Sequence, residues 1–262
     1  MRNPLITLTT DYGGADHFAG AMKGVILSIE PRAKIVDITH ELRPFEIVEA
    51  AFTFGQAWRW FPKKTIHMVV VDPGVGTARR PVLAEAAGHY FIGPDNGLLP
   101  MALAGTKYDM RQITAEEYFL KPVSATFHGR DIFAPVAAHL AAGVPVERFG
   151  EPIADEWRAG SLEPVRLGKR IWTGTILKID RFGNLITNLH IRDFEAVRTR
   201  PFELLAGMER LSRLAETFAE GAAGEPVVIV GSAGYLEVAV NQDSAARRLG
   251  VAAGAPVELK LF

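Results

Sequence analysis

The stretch IHMVVVDPGVGTARRP, residues 66–81, decides the fold of this chain. Its first six residues are apolar and rich in β-branched side chains, which is typical of a strand buried on both faces of a parallel sheet. The run ends abruptly at Asp72, and a glycine-containing loop leads from there to Arg79 and Arg80. Ligands of open α/β sheets bind at the carboxyl ends of the strands. Asp72 is therefore a candidate functional residue, although an acid at this place is by default a turn former.

Short apolar runs alternate with helical patterns over the first ~145 residues, which predicts an α/β fold built from βαβ units around a mostly parallel sheet. The predicted elements are strands at 5–10, 34–38 and 66–71, helices at 16–29, from Pro44 onward and at 130–142, and a hairpin at 81–92 that turns at Gly88. We assign residues 1–145 to an α/β catalytic domain.

The second half of the chain has a different character. Residues 146–168 combine prolines and glycines with little periodicity, so we predict a linker there. Residues 169–262 are expected to form a smaller, β-rich domain with a barrel-like sheet. Its predicted elements are strands at 170–180, 185–190, 226–230, 235–240 and 256–262, with helices near 204–219 and 244–249.

Composition excludes several classes of protein. The chain has 262 residues, of which 48% are hydrophobic, and a net charge of -1 with a pI near 6.7. Such a balance gives no basis for binding nucleic acid or an anionic membrane surface. The sequence contains no cysteine, which excludes disulfides, thiolate catalysis and cysteine-bound zinc. No apolar stretch is long enough for a signal-peptide core or a membrane span, so we expect a cytoplasmic protein.

Acids and histidines recur at the predicted strand ends and strand-to-helix corners. They are Asp11, Asp16, His40, Asp72, Asp95, His128 and Asp131. Each is individually an ordinary turn or cap residue, but in a parallel sheet they would converge on one edge and form a polar pocket. The spacing matches no zinc-protease motif, Walker loop, complete dinucleotide fingerprint or nucleophile elbow. No metal ligand set is predicted.

A third polar segment, IDRFGNLITNL at 179–189, joins two strands of the second half. The aromatic ring of Phe182 beside the amide of Asn184 offers stacking together with paired hydrogen-bond groups, as a purine requires. A plain hairpin turn explains the same residues, so both readings stay open. The segment Gly231–Tyr235 is similar, being either a tight turn or a close backbone approach to a ligand.

Six motifs taken together resemble one enzyme family. They are TTDYG (9–13), VVDPGVGTARR (70–80), FIGPDNGLL (91–99), TFHGRDIFAP (126–135), IDRFGNLITN (179–188) and GSAGYLEVAVNQ (231–242). In this order they look like the S-adenosyl-L-methionine (SAM) hydroxide adenosyltransferases, the SAM hydrolases, which are relatives of the fluorinase and chlorinase. The resemblance implies an N-terminal α/β/α sandwich, a C-terminal β-barrel-like domain, and a homotrimer whose sites lie between subunits. SAM would be the substrate, hydrolysed to adenosine and methionine, with no separate cofactor.

The resemblance also implies roles for residues of the first half. The catalytic set of the family falls on Asp72, Arg79 and His128. The remaining positions are the ribose-binding acid Asp11, the nearby polar Asp16, and the aromatic residues Phe45 and Phe127 against the nucleoside.

In the second half, the acid that takes the methionine ammonium falls on Asp180. The purine platform falls on Phe182 and Asn184, with the backbone near Asn241 and Gln242 facing the adenine edge. Ser232 matches the contact to the methionine carboxylate. The related halogenases follow this serine with an arginine, whereas this chain has Ala233, so the motifs leave open how the carboxylate is neutralised.

Attack at the ribose 5′ carbon releases a neutral thioether, so the leaving group needs no acid. We expect Asp72 and His128 to position a water and Arg79 to fix Asp72, without a metal. Three alternatives remain: a SAM-dependent halogenase, a Mg²⁺- or Mn²⁺-dependent hydrolase using Asp11, Asp16, Asp72 and His128, and a non-catalytic SAM or adenosine sensor.

Overall fold

The computed structural model describes residues 3–158 and 162–262. The first range belongs to one compact unit and the second range to another. The first unit contains β1 (Leu5–Thr10), α1 (Phe18–Ile29), β2 (Lys34–Thr39), α2 (Ile47–Ala57), β3 (Ile66–Val70), β4 (Pro81–Ala86), β5 (His89–Pro94), α3 (Leu98–Ala102), β6 (Tyr108–Gln112), α4 (Ala134–Ala141) and β7 (Pro152–Ile153). Short 3₁₀ turns lie at Trp58–Trp60, Glu116–Tyr118 and Val146–Phe149, and a π-helical turn, Gly129–Phe133, leads directly into α4.

The described strands of this unit form one sheet with the order β2-β1-β3-β5-β4-β6-β7. Strands β2, β1, β3 and β5 run parallel to one another, and β4, β6 and β7 extend the sheet in antiparallel fashion. Strands β1 and β3 are in register up to Thr10 and Val70, so their carboxyl ends are level. The residues that follow these two ends lie side by side at one edge of the sheet.

Helices cover both faces of the parallel strands, as in an α/β/α sandwich. Ile6, Leu8 and Met68 point into a core shared with α1 and α4. The alternate residues of the same strands point the other way, where the ring of His67 packs edge-on against Phe54 of α2. Burial of both faces explains why the sequence from Ile66 onward is apolar without alternation.

The second unit contains β8 (Val165–Arg166), β9 (Ile171–Ile179), β10 (Leu185–His190), β11 (Phe202–Ala206), β12 (Glu209–Leu211), β13 (Leu214–Ala215), β14 (Pro226–Val230), β15 (Tyr235–Val240), α5 (Ala245–Leu249) and β16 (Pro256–Leu261). Its 3₁₀ turns are Ile191–Asp193, Glu195–Arg198 and Phe218–Glu220. The strands follow the order β12-β11-β16-β9-β10-β15-β14-β13, with β8 paired to β9. The curled sheet surrounds a core that includes Leu185, Leu204, Leu236, Val238 and Leu259.

The helix predicted near 204–219 is wrong. This segment forms β11, β12 and β13 instead, and Gly207 makes the first turn with a positive φ of 62°. Side chains of β11 alternate between the core and the surface, with Phe202, Leu204 and Ala206 buried. The spacing of the leucines at 204, 211 and 214 imitates a helical face, but hydrogen bonds to β16 determine the structure.

The predicted linker, 146–168, contributes β7 to the first sheet through pairing with β6. Among residues 3–158 and 162–262, no helix is long and apolar enough to cross a membrane.

Candidate active site

Asp72 lies two residues beyond β3 at the carboxyl edge of the parallel strands, beside Asp11 at the end of β1. The loop that follows Asp72 is built from tight turns. The Val75 N–H donates to the Asp72 carbonyl, and the Thr77 N–H donates to the Gly74 carbonyl. This folding brings the side chain of Arg79 back over the strand end from which the loop departs.

Arg79 joins the acid and the histidine that the motifs singled out. Its Nε donates to Asp72 Oδ1 at 3.0 Å, and its Nη2 donates to Asp72 Oδ2, so the two planar groups pair in bidentate fashion. The same Nη2 donates to His128 Nδ1 at 2.9 Å. The side chains of Asp72 and Arg79 are only 6% and 7% exposed, which strengthens these charged hydrogen bonds.

This contact fixes the protonation of His128. A guanidinium can only donate, so His128 Nδ1 must accept and the neutral ring carries its proton on Nε2. Burial lowers the pKa of the imidazole, and the charge of Arg79 lowers it further. His128 therefore presents an N–H donor at neutral pH, and it is not a base at that nitrogen.

Gly76 allows the loop with Asp72 to approach the segment with His128. It has a φ of +76°, and a Cβ at this position would lie 2.2 Å from the carbonyl oxygen of Ala125. Such a contact is impossible without moving backbone. The close approach of residues 76 and 125 thus sets the distance that Arg79 spans.

Asp11 forms the second part of this edge. Its Oδ2 accepts from the backbone N–H of Phe45 at 2.9 Å. Burial raises the pKa of Asp11 against the effect of that hydrogen bond, and the Asp72 carboxylate adds to the rise. Phe45 has a φ of 68°, unusual for an L residue, and its side chain is 69% exposed. The structure therefore holds Asp11 and Asp72 together and presents an aromatic side chain to the exterior nearby.

Other residues predicted at this edge have different surroundings. Asp16 is exposed, and Phe127 is buried, with its ring against Tyr12 and Phe18. The remaining strand-end candidates are held by partners inside the fold: His40 by Thr10 and Asp37, Asp95 by Arg80 and the Trp157 N–H, and Asp131 by Arg130 and the Ser124 N–H. These contacts give the last three a structural function.

In the second unit, Asp180 organises the turn between β9 and β10. Its Oδ1 accepts from the N–H groups of Phe182 and Asn184, both at 2.9 Å, and its Oδ2 accepts from Asn184 Nδ2 at 2.8 Å. Gly183 has a φ of +91° and lies against Ser244, where any larger residue would clash. The turn is thus rigid at its base, while Phe182 stands 80% exposed at its tip.

Ser232 and Gln242 are exposed, and they flank strand β15 on either end. The turn with Ser232 closes through the Gly234 N–H, which donates to the Gly231 carbonyl. Asn241 is half-buried, and Gln242 has a positive φ of 56°. The side chains proposed to contact substrate in this unit are therefore either exposed or held in tight turns.

Sequence reasoning missed Glu237, a buried carboxyl group in the middle of β15. The signal was present, because a single acid interrupts the apolar run YLEVAV. Groups of three or more His, Cys, Asp or Glu side chains able to hold a metal ion are absent from the residues that the structure describes.

Comparison with known proteins gives consistent matches over nearly the whole chain. An (R)-S-adenosyl-L-methionine hydrolase from Salinispora tropica is 39% identical, covering 96% of this chain and 95% of the relative. One from Thermus thermophilus is 38% identical, covering 95% and 97%. A fluorinase from Actinoplanes is 31% identical, covering 97% of each. The crystal structure of an uncharacterized conserved protein from Thermotoga maritima superimposes with a TM-score of 0.88 at 37% identity, covering 97% of this chain and 99% of that chain.

Family models divide the chain much as the structure does. The model of the SAM hydroxide adenosyltransferase N-terminal domain matches residues 6–150, which include the Asp72, Arg79 and His128 cluster. The model of the C-terminal domain matches residues 174–258, which include the Asp180 turn and β15. The chain belongs to the SAM hydroxide adenosyltransferase family.

Proposed function

We propose that this protein hydrolyses (R)-S-adenosyl-L-methionine to adenosine and L-methionine. The observation that supports this most directly is the buried cluster of Asp72, Arg79 and His128, which offers a hydrogen-bond acceptor and a donor for one water. The names of the hydrolases at 35–39% identity supply the substrate and its sulfonium configuration.

In the proposed reaction, water attacks the ribose 5′ carbon and the neutral thioether of methionine leaves. Asp72 accepts one hydrogen bond from the water. The Nε2–H of His128 donates to one lone pair of the water oxygen, and the other lone pair is free to attack the carbon. As the oxygen bonds to the ribose 5′ carbon, the C–S electron pair returns to sulfur and the now acidic proton passes to Asp72 and on to solvent. The His128 donor holds the oxygen during this step.

Positioning outweighs proton abstraction in this scheme. The pKa of water is about 15.7 and that of a free aspartate about 3.9, so complete proton transfer to an aspartate is far uphill. Orientation of reactants can contribute about 7 to 11 kcal/mol, whereas general-base help of 10²–10⁴-fold is worth about 3 to 5 kcal/mol. The role proposed for the cluster is therefore to hold the water in line with the scissile bond.

The substrate-binding roles implied by the motifs belong to the same proposal. Asp11 would take the ribose hydroxyls, helped by Asp16, and the exposed ring of Phe45 and the buried ring of Phe127 would line the nucleoside site. The second unit would supply Asp180 for the ammonium, Phe182, Asn184, Asn241 and Gln242 for adenine, and Ser232 for the carboxylate.

A halogenase is the nearest rival, since fluorinases are relatives at 28–31% identity. The paired carboxylate of Asp72 would face the incoming halide and repel it. A metal-dependent hydrolase would need Asp11 and Asp72 as ligands, but the positive charge of Arg79, paired with both oxygens of Asp72, disfavours a divalent cation there. Both observations favour the hydrolase.

The test is turnover of each SAM epimer in H₂¹⁸O, with EDTA present in parallel samples. We expect the (R) epimer to be consumed faster and ¹⁸O to enter the 5′-hydroxyl of adenosine, with or without EDTA. Label in methionine would contradict attack at the ribose carbon. Loss of turnover in EDTA that Mg²⁺ restores would instead favour the metal-dependent hydrolase.

We also propose that the active protein is a cytoplasmic homotrimer with sites shared between subunits, as the family resemblance implies. Mixing inactive Asp72→Ala and inactive Asp180→Ala chains should then restore part of the activity, because some shared sites would contain both intact halves. Sedimentation should show a trimer. A fully active monomer, or no restoration after verified subunit exchange, would show that each chain builds its own site.

A further inference from the structure

Glu237 is a buried acid with no hydrogen-bond or ion-pair partner among the residues that the structure describes. Only 8% of the residue is exposed, and its carboxyl group forms no hydrogen bond or ion pair with any residue that the structure describes. Its neighbours Leu236 and Val238 point into the core of the curled sheet, so Glu237 points to the opposite face. A buried carboxyl group without a partner is costly, and its persistence calls for an explanation.

The carboxyl group lies directly beneath the turn that presents Ser232. A Cβ on Gly231 would come within 1.7 Å of Glu237 Oε1, so glycine leaves the room that the carboxyl group occupies here. Gly231 and Ser232 are consecutive, and the turn is closed by the Gly234 N–H bonding to the Gly231 carbonyl. Glu237 therefore lies next to the residue assigned to the methionine carboxylate.

Asp180 lies close enough to Glu237 for its carboxylate to disfavour a second negative charge there. Two further titratable groups belong to the elements packed around Glu237. Ile186 of β10 pairs with Glu237 on one side and with Lys178 of β9 on the other, so Lys178 is two strands away. His190 of β10 contacts Gly234. The facing residue on β14, Ile229, is apolar.

Charge balance then decides the form of Glu237 that suits the substrate. The amino-acid end of SAM is a zwitterion, and Asp180 already supplies one negative charge for its ammonium group. The carboxylate lacks the arginine that halogenases provide, since Ala233 follows Ser232. A second anion beside it would be repulsive, whereas a neutral carboxylic acid would donate a hydrogen bond.

We propose that Glu237 is a further substrate-binding residue, whose neutral carboxylic acid donates a hydrogen bond to the carboxylate of the amino-acid end. This assignment rests on the proposed function. It gives the carboxylate two adjacent hydroxyl donors, Ser232 and Glu237, in place of a cation. Gly231 is then required because it makes room for the acid beneath the turn.

The ionisation of Glu237 supports this assignment. Burial raises the pKa of Glu237 to about 7, and the carboxylate of Asp180 adds to the rise. The acid is therefore largely neutral below pH 7 and ionises above it. Loss of the donor should raise KM by up to about tenfold for each pH unit above that pKa, with little change in kcat.

The experiment compares KM and kcat from pH 6 to 8.5 in wild type and three variants. Glu237→Gln keeps a neutral donor at every pH, and Glu237→Leu removes it with little change in volume. Glu258→Gln, in β16 of the same unit, is the matched control. We expect wild type and Glu258→Gln to lose affinity above pH 7, Glu237→Gln to lose much less, and Glu237→Leu to show a KM about tenfold higher at pH 6.5. Titration of the substrate ammonium affects KM equally in all four proteins, so it does not contribute to the differences between them.

A second test of the proposal uses a substrate that lacks the carboxylate. Decarboxylated SAM should bind wild type and Glu237→Leu equally well, because the proposed hydrogen bond no longer exists. A KM–pH profile for Glu237→Gln that matches wild type would reduce Glu237 to a structural role. A Gln variant as impaired as the Leu variant at pH 6.5 would show that the anion is the working form. Either result overturns the proposal. If Glu237→Leu fails to fold, the KM–pH profile of Glu237→Gln still tests the proposal.

Failure of the proposed function has a different signature. Wild-type protein would then form no adenosine from either SAM epimer at any pH. Calorimetry with L-methionine, in two buffers of different ionisation enthalpy at pH 8, would still test Glu237. Proton uptake on binding by wild type and not by Glu237→Gln supports the assignment, and equal uptake by both contradicts it.

Discussion

The two units present their polar residues in opposite ways. In the first unit, Asp72, Arg79 and His128 are largely buried and bound to one another, so their geometry exists before any ligand arrives. In the second unit, Phe182 is 80% exposed, Ser232 is exposed and Glu237 has no partner among the described residues. A cluster whose side chains already hold one another suits the positioning of a water, whereas exposed and unpaired groups suit contacts that a ligand completes.

Removal of Asp72 should produce the largest effect, because it disrupts the preformed cluster of the first unit. Asp72→Ala is expected to lower kcat by about 10³-fold or more, since the water loses its acceptor and Arg79 loses its counterion. Asp155→Ala is the control, because Asp155 pairs with the neighbouring Arg80 and is 80% exposed. Steady-state kinetics and calorimetry would distinguish the two roles. Failure of Asp72→Ala to bind SAM would assign Asp72 to binding.

Removal of Asp180 should affect mainly KM. Asp180→Ala is expected to raise KM by about 10- to 100-fold, corresponding to the 1.5–3 kcal/mol of a hydrogen bond to a charged group, with kcat changed only a few-fold. Part of the loss comes from the turn itself, which Asp180 holds through Phe182 and Asn184. Asp243→Ala, at an exposed ion pair in the same unit, should leave KM unchanged. A large fall in kcat without a rise in KM would place Asp180 at the reacting centre.

The smallest effect is a shift of the acid limb of the pH profile. Burial and Arg79 lower the pKa of His128, so the ring stays neutral at pH 6.5 and becomes protonated only at lower pH. Protonation removes the acceptor for Arg79, so kcat should stay constant down to pH 6.5 and then fall, at most tenfold per pH unit. The pH profile of kcat measures this directly, because the ionisation of Glu237 acts on KM. A midpoint at or above 6.5 would contradict the arrangement of Arg79 and His128.

Local sequence patterns predict much of the fold. The apolar run that begins at Ile66 and the turn at Gly88 predicted β3 and the hairpin of β4 and β5, because burial and turn geometry act over a few residues. The segment 204–219 was mispredicted since its leucine spacing fits a helix, and pairing with the distant β16 decides otherwise. Long-range pairing of this kind leaves no mark on a local pattern.

The candidate site shows the same limit. The sequence pattern indicates that Asp72 follows a buried strand. Its connection to His128 depends on hydrogen bonds from Arg79 to both side chains, which a local pattern does not predict. Asp95 and Asp131 carried the same sequence signal, yet each is held by an arginine inside the fold. Glu237 was overlooked because its surroundings come from a turn and a strand that only the folded sheet brings together.

The contact between Gly76 and the Ala125 carbonyl has a consequence for redesign. Backbone holds the two loops together here, so the geometry of the cluster does not depend solely on the side chains that perform the chemistry. Residues 72, 79 and 128 could then be exchanged for other polar groups without the loops separating. An engineer who wants this scaffold to accept a different nucleophile should vary those three positions and leave residue 76 as glycine.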